Sequence, residues 1–238
     1  MITEYKINWA VPGNIGYFIS TNETGNSKGK YKHANFSNQV GEDSKNVVSN
    51  INELKTLHGL NDITFMNQTH SNTVLKVSKE HTHLDCDAMF TEDKTKSCAV
   101  LTADCIPILV TESSGRMIGC IHAGWRGLQS KIIENFFSKF KSINKSNFRI
   151  LLGPCISAQN YEVSDEIFCQ FSNYSERFRK NKSGNYYMDL RYIACDILNE
   201  LGITNVTISK SCTYNDNFYS YRKDKTTGRF VSLIWFKK

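Results

Sequence analysis

The sequence predicts an α/β protein of the α+β type, a single domain over residues 1–238 in which mixed β-sheets are flanked by helices. Three observations support this fold class. Strand-like apolar segments outnumber helical ones, and they come partly in runs. The chain has 238 residues, which is near the upper size of a single domain. Hydrophobic residues make up 40% of the sequence, enough for one dominant core.

Helical periodicity is clearest in three segments. Residues 43–58 carry apolar side chains at helical spacing, and Gly59 supplies a stop. Residues 128–140 place Leu, Ile and Phe on one face, which predicts an amphipathic helix. Residues 189–201 begin with an Asp suited to N-capping, and a shorter helix is predicted to start at Ser164.

Strands are predicted where short apolar runs are bounded by polar or Gly-containing turns. The predicted strands are residues 17–20, 63–66, 73–77, 88–91, 98–103, 106–111, 117–122, 148–152, 206–208 and 229–236. The last of these is expected at the centre of a sheet, because its residues are apolar on both faces.

Composition and charge argue against several classes of partner. The net charge of +6 is spread along the chain, and no basic stripe interleaved with aromatic residues indicates nucleic-acid binding. No apolar run of about 18 residues and no signal pattern is present. We therefore expect a cytoplasmic protein, monomeric or weakly homo-oligomeric, with no membrane partner. The eight cysteines, none in a C-x-x-C motif, are expected to be mostly buried free thiols.

The stretch from residue 101 to residue 128 carries the chemistry. Cys105 and His122 each lie at the boundary of an apolar run, and His70 lies at another strand end. Two imidazoles and a thiolate suit Zn²⁺ and leave a fourth position for water or substrate, as in catalytic zinc sites. Two alternatives remain at this point. Each residue could belong to the core, or Cys105 could be a nucleophile activated by His122.

Other metal sites do not fit the sequence. A cytidine-type zinc deaminase needs H-x-E followed by P-C-x-x-C, and neither His70 nor His122 is followed by the Glu. H-E-x-x-H is absent as well. The sequence has six histidines, including His81 and His83, and this is too few for the several copper centres of a multicopper oxidase.

The segment beside the metal ligands is predicted to be an anion site, or alternatively a tight turn with an exposed Arg. Gly124-Trp125-Arg126-Gly127 connects a strand to the predicted helix, whose N-terminus favours an anion. Arg126 can add a bidentate phosphate contact, and Arg222 and Arg229 can supply more. Asp104 either orients a metal ligand or accepts hydrogen bonds from strand-end amides.

Several motifs together resemble a known family. In chain order they are Asn67-Gln68-Thr69-His70, Asp85-Cys86-Asp87-Ala88, Leu101-Thr102-Ala103-Asp104-Cys105-Ile106-Pro107, His122-Ala123-Gly124-Trp125-Arg126-Gly127, Leu152-Gly153-Pro154-Cys155-Ile156 with Tyr161-Glu162-Val163, and Ser220-Tyr221-Arg222-Lys223-Asp224 through Thr227-Gly228-Arg229. The sequence is similar to the laccase-domain family, also called polyphenol-oxidase-like or peptidoglycan editing factor proteins. The resemblance spans about residues 35–236.

The resemblance implies a zinc ion held by His70, Cys105 and His122. It implies phosphorolysis of adenosine, inosine, guanosine and methylthioadenosine, together with adenosine deamination. Cys105, His122 and Asp104 are then the expected catalytic residues. Arg126, Arg222, Asn35 and Gln68 are the expected substrate or phosphate ligands.

The family has two further labels, which remain as alternatives. One is a copper-dependent polyphenol oxidase that uses the same three ligands. The other is a thiol hydrolase, or peptidoglycan precursor editing factor, with Cys105 as nucleophile. The sequence also departs from the family at the amino terminus, where an expected Arg followed by Gly-Gly-Val-Ser is replaced by Val11-Pro12-Gly13-Asn14-Ile15-Gly16. A cationic contact is therefore missing at that edge of the predicted site.

Overall fold

The computed structural model describes residues 1–78 and 84–238, so His81 and His83 lie outside the described residues. The strands are β1 (Ile15–Ile19), β2 (Val74–Lys76), β3 (Ala88–Thr91), β4 (Ser97–Thr102), β5 (Ile106–Glu112), β6 (Ile118–Ala123), β7 (Phe148–Leu152), β8 (Glu162–Val163), β9 (Phe178–Lys180), β10 (Tyr186–Met188), β11 (Val206–Ile208) and β12 (Phe230–Phe236). The α-helices are α1 (Ser44–His58), α2 (Trp125–Gln129), α3 (Ile132–Ser138), α4 (Asp165–Gln170), α5 (Leu190–Glu200) and α6 (Tyr221–Asp224). The predicted fold class, sheets flanked by helices, is confirmed.

The largest sheet positions the site. Among the described residues it has six strands, in the order β11-β7-β5-β6-β3-β2. Its central pair, β5 and β6, is antiparallel, with Pro107 opposite His122 and Ile106 opposite Ala123. Cys105 immediately precedes β5, so this register brings its thiol beside the end of β6.

A second sheet, in the order β1-β12-β4, packs on one face of the large sheet. The alternation of side chains along β5 explains how both faces are buried. Leu109 faces the second sheet and packs in one cluster with Val100 and Ile234. Ile108 points the other way, into a cluster with Phe136 of α3 and Ile193 of α5. Both faces of the large sheet are therefore covered, one by a sheet and the other by helices.

The outer face of the second sheet is covered by α1. Leu54 of that helix is fully buried in a third cluster with Phe18 and Leu233. The layers are therefore α1, the second sheet, the large sheet, and helices α3 and α5. A third sheet, in the order β8-β10-β9, packs Val163 and Met188 into the same core cluster as α3 and α5, and Tyr161 immediately precedes its strand β8. None of the helices in the described part of the chain is long and apolar enough to cross a bilayer.

Two predicted elements differ in the structure. The single helix predicted over 128–140 is wrong, because α2 and α3 are separate helices divided by Lys131, whose φ is +67°. Apolar periodicity continues across this break, so the pattern does not reveal it. The segment 63–66 is not a strand; it makes one isolated bridge, from Phe65 to Ala99.

Candidate metal and substrate site

Three separate segments deliver the predicted metal ligands to one point. His70 lies in the loop before β2, Cys105 in the turn between β4 and β5, and His122 near the end of β6. One ligand atom from each residue lies within 4.8 Å of the other two. Among the described residues, this is the cluster of His, Cys or carboxylate groups placed to bind a metal.

The geometry of the cluster suits a tetrahedral ion. The Cys105 Sγ lies 4.0 Å from Nε2 of His70. An ideal tetrahedral zinc site separates a thiolate sulfur and an imidazole nitrogen by about 3.6 Å, so this pair of ligand atoms is only a few tenths of an ångström too far apart. The two imidazole rings are 4.8 Å apart and inclined at 70°, so they do not stack on each other. The donor set fits Zn²⁺, and its softness also suits copper.

Asp87 holds two of these three ligands in place. Its carboxylate is fully buried and accepts a 2.7 Å hydrogen bond from Nδ1 of His122. It also accepts from the backbone N–H groups of Thr69, His70 and Ser71, at 3.1, 3.0 and 2.6 Å. Because Nδ1 of His122 is occupied in this way, its Nε2 is the atom left to face a metal.

The electrostatics of the cluster favour a thiolate. Burial is the largest influence on the Cys105 pKa and raises it, but His122 and His70 together outweigh it and lower this pKa to about 6. Burial lowers the His122 pKa, yet Cys105 and Asp87 raise it to about 9. The thiolate, which is the form that binds metals, is therefore stabilised at neutral pH.

The Asp87 carboxyl is itself strongly stabilised as the anion. Burial is again the largest influence and raises its pKa. The hydrogen bond and charge of His122, with the bonds from Ser71, reverse this and lower the pKa to about 2. Asp87 therefore stays ionised through the physiological range, as a permanent acceptor behind the ligands.

Gly124 is required by the close packing of the ligands. A Cβ added at this position would lie 2.8 Å from the Cys105 Sγ and 3.4 Å from Cδ2 of His70. The glycine thus allows the chain leaving β6 to pass directly beside the thiol before α2 begins.

Asp104 lies next to Cys105 in a conformation that is unusual for a residue other than glycine, with φ of +98°. Its buried carboxylate accepts 2.7 Å and 2.6 Å hydrogen bonds from the Thr213 hydroxyl and the Arg222 backbone N–H. These contacts hold the strained turn and tie it to α6. Asp104 is therefore a buried acceptor, but its donors are a hydroxyl and a helix N–H rather than the strand-end amides of the sequence interpretation, and its catalytic role stays a prediction.

The cluster lies in the wall of a cavity of about 700 Å³. The cavity has an apolar part that includes Phe36, Phe65 and Leu101, and a cationic part. Among the described residues, the positively charged side chains lining it are Arg126, Arg222, Lys225 and Arg229. The site therefore combines a metal position, an apolar surface and several cations.

Aromatic rings support three of these cations. The guanidinium of Arg126 lies 4.4 Å from the Trp125 ring centre, and that of Arg222 lies 4.9 Å from the Tyr161 ring centre. Such stacking holds a guanidinium in a fixed plane, which favours bidentate recognition of an anion. The ammonium of Lys225 lies 5.7 Å from the Tyr221 ring centre, at the rim.

Two other predicted ligands have their polar groups engaged by the protein. Gln68 lines the cavity, but its side-chain amide donates to and accepts from the Leu101 backbone, both at 2.8 Å. Asn35 is fully buried and is not among the described residues that line the cavity. Its amide bonds to Ser37 and Glu42 and accepts from the Arg229 N–H. A direct role in substrate binding stays a prediction for both residues.

Sequence reasoning assigned no role to Asp87 or Tyr161, although both lie in quoted motifs. A histidine that binds a metal needs an acceptor on its other ring nitrogen, and an Asp preceding a buried strand is a suitable candidate. Tyr161 lines the cavity, and burial raises the pKa of its hydroxyl well above the ordinary value. It therefore remains a neutral hydrogen-bond donor. Tyr161 lies in a loop before a two-residue strand, and this sequence context gave no indication that it lines the site.

Comparison with known proteins finds relatives along almost the whole chain. The family model described as multi-copper polyphenol oxidoreductase laccase matches residues 16–237. A purine nucleoside phosphorylase of Haemophilus influenzae is 35% identical over 239 residues, covering 97% of this chain and 98% of the relative. The purine nucleoside phosphorylase YfiH of Escherichia coli is 32% identical over 235 residues, covering 95% and 96%.

Solved structures share the fold over the whole chain. Neisseria meningitidis protein NMB0706 superposes with a TM-score of 0.92 at 32% identity, covering 99% of both chains. YlmD of Geobacillus stearothermophilus gives a TM-score of 0.90 at 25% identity, covering 100% of this chain and 99% of the other.

Proposed function

Since the chain belongs to the multi-copper polyphenol oxidoreductase laccase family, whose curated relatives are named purine nucleoside phosphorylases, we propose that it is a zinc-dependent purine nucleoside phosphorylase. The proposed reaction converts a purine nucleoside and phosphate to the free base and ribose 1-phosphate. The proposed nucleosides are adenosine, inosine, guanosine and methylthioadenosine. One observation carries the proposal: the His70, Cys105 and His122 cluster shares a cavity with several guanidinium groups.

The metal ligands support zinc chemistry in this cavity. His70, Cys105 and His122 would hold the ion, which when bound supplies Lewis acidity to an oxygen ligand. Asp87 fixes the tautomer of His122, and Asp104 holds the turn that presents Cys105. Both carboxylates therefore support the protein ligands, and a direct catalytic role of Asp104 is a separate prediction.

The cations of the cavity are suited to hold phosphate. Arg126, Arg222 and Arg229 line one cavity, and guanidinium groups match the geometry of phosphate oxygens. Helix α2 has only five residues, so side chains rather than a helix dipole provide most of the attraction.

The apolar part of the cavity is suited to a purine. Phe36, Phe65 and Leu101 offer a surface for the base, while the neutral hydroxyl of Tyr161 can donate a hydrogen bond to a sugar or phosphate oxygen. Phosphate and ribose are thereby brought together near the metal ligands, where proximity lowers the barrier. We propose that adenosine deamination uses the same cavity, with water adding at C6 of the base and ammonia leaving, so that the product is inosine.

The described chain gives less support to a copper polyphenol oxidase. A multicopper oxidase needs several metal centres, whereas the described residues provide one three-ligand cluster. His58, another histidine, packs between Phe18 and Trp235 in the outer core. Metal analysis of protein purified without added copper distinguishes the two: about one zinc per chain and no oxygen uptake on phenols supports the phosphorylase.

The direct test is inosine cleavage. Wild-type protein should release hypoxanthine and ribose 1-phosphate in equal amounts, only when phosphate is present. Cys105→Ala should lower the rate by at least about 100-fold, because it removes a metal ligand. Cys169→Ala is the matched control, since Cys169 is an exposed free thiol on α4, and it should retain the wild-type rate. Hypoxanthine release that ignores phosphate, or persists in Cys105→Ala, would reject the proposal.

A further inference from the structure

Two cysteines outside the metal cluster lie side by side. Cys155 lies beyond the end of β7 and Cys212 beyond the end of β11, and an isolated parallel bridge pairs the two residues directly. Both are free cysteines. Neighbouring strands lie about 4.8 Å apart. A disulfide joins residues whose Cα atoms are about 4.4–6.8 Å apart, so the pairing places these two within its reach.

Hydrogen-bonding groups surround the Cys212 sulfur. The Ser157 backbone N–H and the Asn160 side-chain amide donate to Sγ at 3.2 and 3.4 Å, and the Ser157 hydroxyl lies 3.1 Å from it. Ser157 has an extended backbone and stands two residues after Cys155, so the sulfur lies on the face that carries the Cys155 side chain. Burial raises the Cys212 pKa, but hydrogen bonds, led by those from Ser157, outweigh it and lower this pKa.

Cys155 differs from its neighbour in burial and in ionisation. It is fully buried, whereas 7% of Cys212 is exposed to solvent. Burial is the largest influence on the Cys155 pKa and raises it to about 11, although Arg191 opposes this rise. The Arg191 guanidinium also joins the two segments, because Nη2 donates to the carbonyls of Ser211 and Cys155 at 2.6 and 3.4 Å. Cys212 is therefore the thiol that is both more accessible and more readily ionised.

The residues that follow the two cysteines hold the turn that presents the metal ligand Cys105. The Ile156 N–H donates to the Asp104 backbone carbonyl at 3.0 Å, and the Thr213 hydroxyl donates to the Asp104 carboxylate at 2.7 Å. Asp104 immediately precedes Cys105 and has the strained φ of +98°. A movement of either cysteine segment therefore acts on a support of this turn.

From this arrangement we infer that Cys212 is an oxidation site for peroxides, and that Cys155 captures the oxidised sulfur in a disulfide that weakens the metal site. The Cys212 thiolate attacks one peroxide oxygen, the O–O bond breaks, and the departing hydroxide takes up the proton lost by Cys212 to give water. The Cys155 sulfur then attacks the resulting sulfenic acid, so that the S–S bond forms and the S–O bond breaks. The Cys155 proton leaves with the hydroxyl group as a second water.

The disulfide is expected to disturb the turn because it draws the two segments together. Its Cβ atoms lie about 3.8 Å apart, which is closer than the spacing of about 4.8 Å between neighbouring strands. Ile156 and Thr213 move with the two cysteines, so their bonds to Asp104 are altered. Zinc affinity should then fall about tenfold, as when a supporting contact of a metal ligand is lost.

Peptide mapping tests the disulfide. Cleavage after Arg149 and Arg177 leaves Cys155 and Cys169 in one tryptic peptide, so Cys169→Ala is the protein to use. The zinc-loaded protein is treated with hydrogen peroxide, alkylated in denaturant and digested without reduction. The peptides that contain Cys155 and Cys212 should be recovered joined to each other. Alkylated thiols at both positions, or a Cys212 sulfinic acid beside a free Cys155, would overturn the inference.

Competition with a chelator tests the link to the metal site. Peroxide treatment should lower the zinc affinity of Cys169→Ala about tenfold, and a dithiol reductant should restore it. Cys212→Ala should keep its zinc affinity after the same treatment. A disulfide that leaves zinc affinity unchanged, or an equal loss in Cys212→Ala, would contradict the link. None of these measurements uses phosphorolysis, so a failure of the inference is distinct from a failure of the proposed function.

Discussion

Replacing Asp87 with Asn is expected to loosen the metal site and destabilise the fold together. The carboxylate accepts from six donor groups: Nδ1 of His122, the N–H groups of Thr69, His70 and Ser71, and the hydroxyls of Ser71 and, at 3.5 Å, Thr69. An Asn amide has one accepting oxygen and one NH₂ group. Whichever way the amide is turned, its NH₂ faces donors, so hydrogen bonds are lost on one side.

The structure sets the size of this effect. A pKa of about 2, against the ordinary 3.8, corresponds to about 2 kcal/mol of folding free energy at neutral pH. Donors left without an acceptor add about 1 kcal/mol or more. Zinc affinity should fall about 10–100-fold, because His122 loses the partner that fixes its ring and His70 loses the anchor of its loop.

Chemical unfolding and zinc competition against a chromophoric chelator measure the two effects. Asp85→Asn is the matched control, because Asp85 is exposed and accepts a single 2.7 Å bond from Asn67. The sign of the pH dependence is fixed. A lowered carboxyl pKa stabilises the fold above about pH 4, and this contribution is lost as pH falls toward 2. Wild type and Asp87→Asn should therefore converge in acid. An Asp87→Asn protein with wild-type stability and zinc affinity would refute this account of the carboxylate.

Three further predictions follow from the same geometry. Gly124→Ala should lower zinc affinity at least about tenfold, because the added Cβ would lie 2.8 Å from the Cys105 Sγ. Gly13→Ala, where the added Cβ meets open space, should keep the wild-type affinity, and competition with a chelator measures both. Zinc binding should release one proton between pH 6 and 9, from the His122 imidazole with a pKa of about 9, and a second below about pH 6, from the Cys105 thiol with a pKa of about 6. Zinc affinity should therefore rise with pH, and calorimetry in buffers of different ionisation enthalpy counts the released protons. Phe136→Ala should cost about 3–5 kcal/mol of unfolding free energy, since this ring is fully buried, whereas Val48→Ala on the exposed face of α1 should cost less than about 1 kcal/mol; urea titration decides.

The large elements could be predicted because their patterns are local. Residues 44–58 and 190–200 are helical as expected from their apolar spacing, and Asp189 caps the second helix as predicted; the structure adds Asp43 as the N-cap of the first. The strands of the large sheet were predictable because both of its faces are buried, which makes them continuous apolar runs. The division of 128–140 into two helices was not, because a positive φ at Lys131 leaves no mark in the apolar pattern.

The metal ligands could be predicted from the sequence, but the residues that hold those ligands in place could not. His70, Cys105 and His122 are chemically distinctive and lie at strand ends, and the structure brings them together. Their convergence depends on the pairing of β5 with β6 and on the bonds from the loop to Asp87, which are separated by many residues in sequence. The role of α6 was also hidden, because a four-residue helix is too short to show periodicity.

Restoring the enzyme from its metal-free form tests the central claim most directly. Protein stripped by a chelator and shown to remain folded should not cleave inosine with phosphate. Activity should then rise in proportion to added zinc and level off at about one equivalent per chain, as expected for the His70, Cys105 and His122 cluster. Full phosphorolysis by the stripped protein, or restoration by copper and not by zinc, would contradict the account.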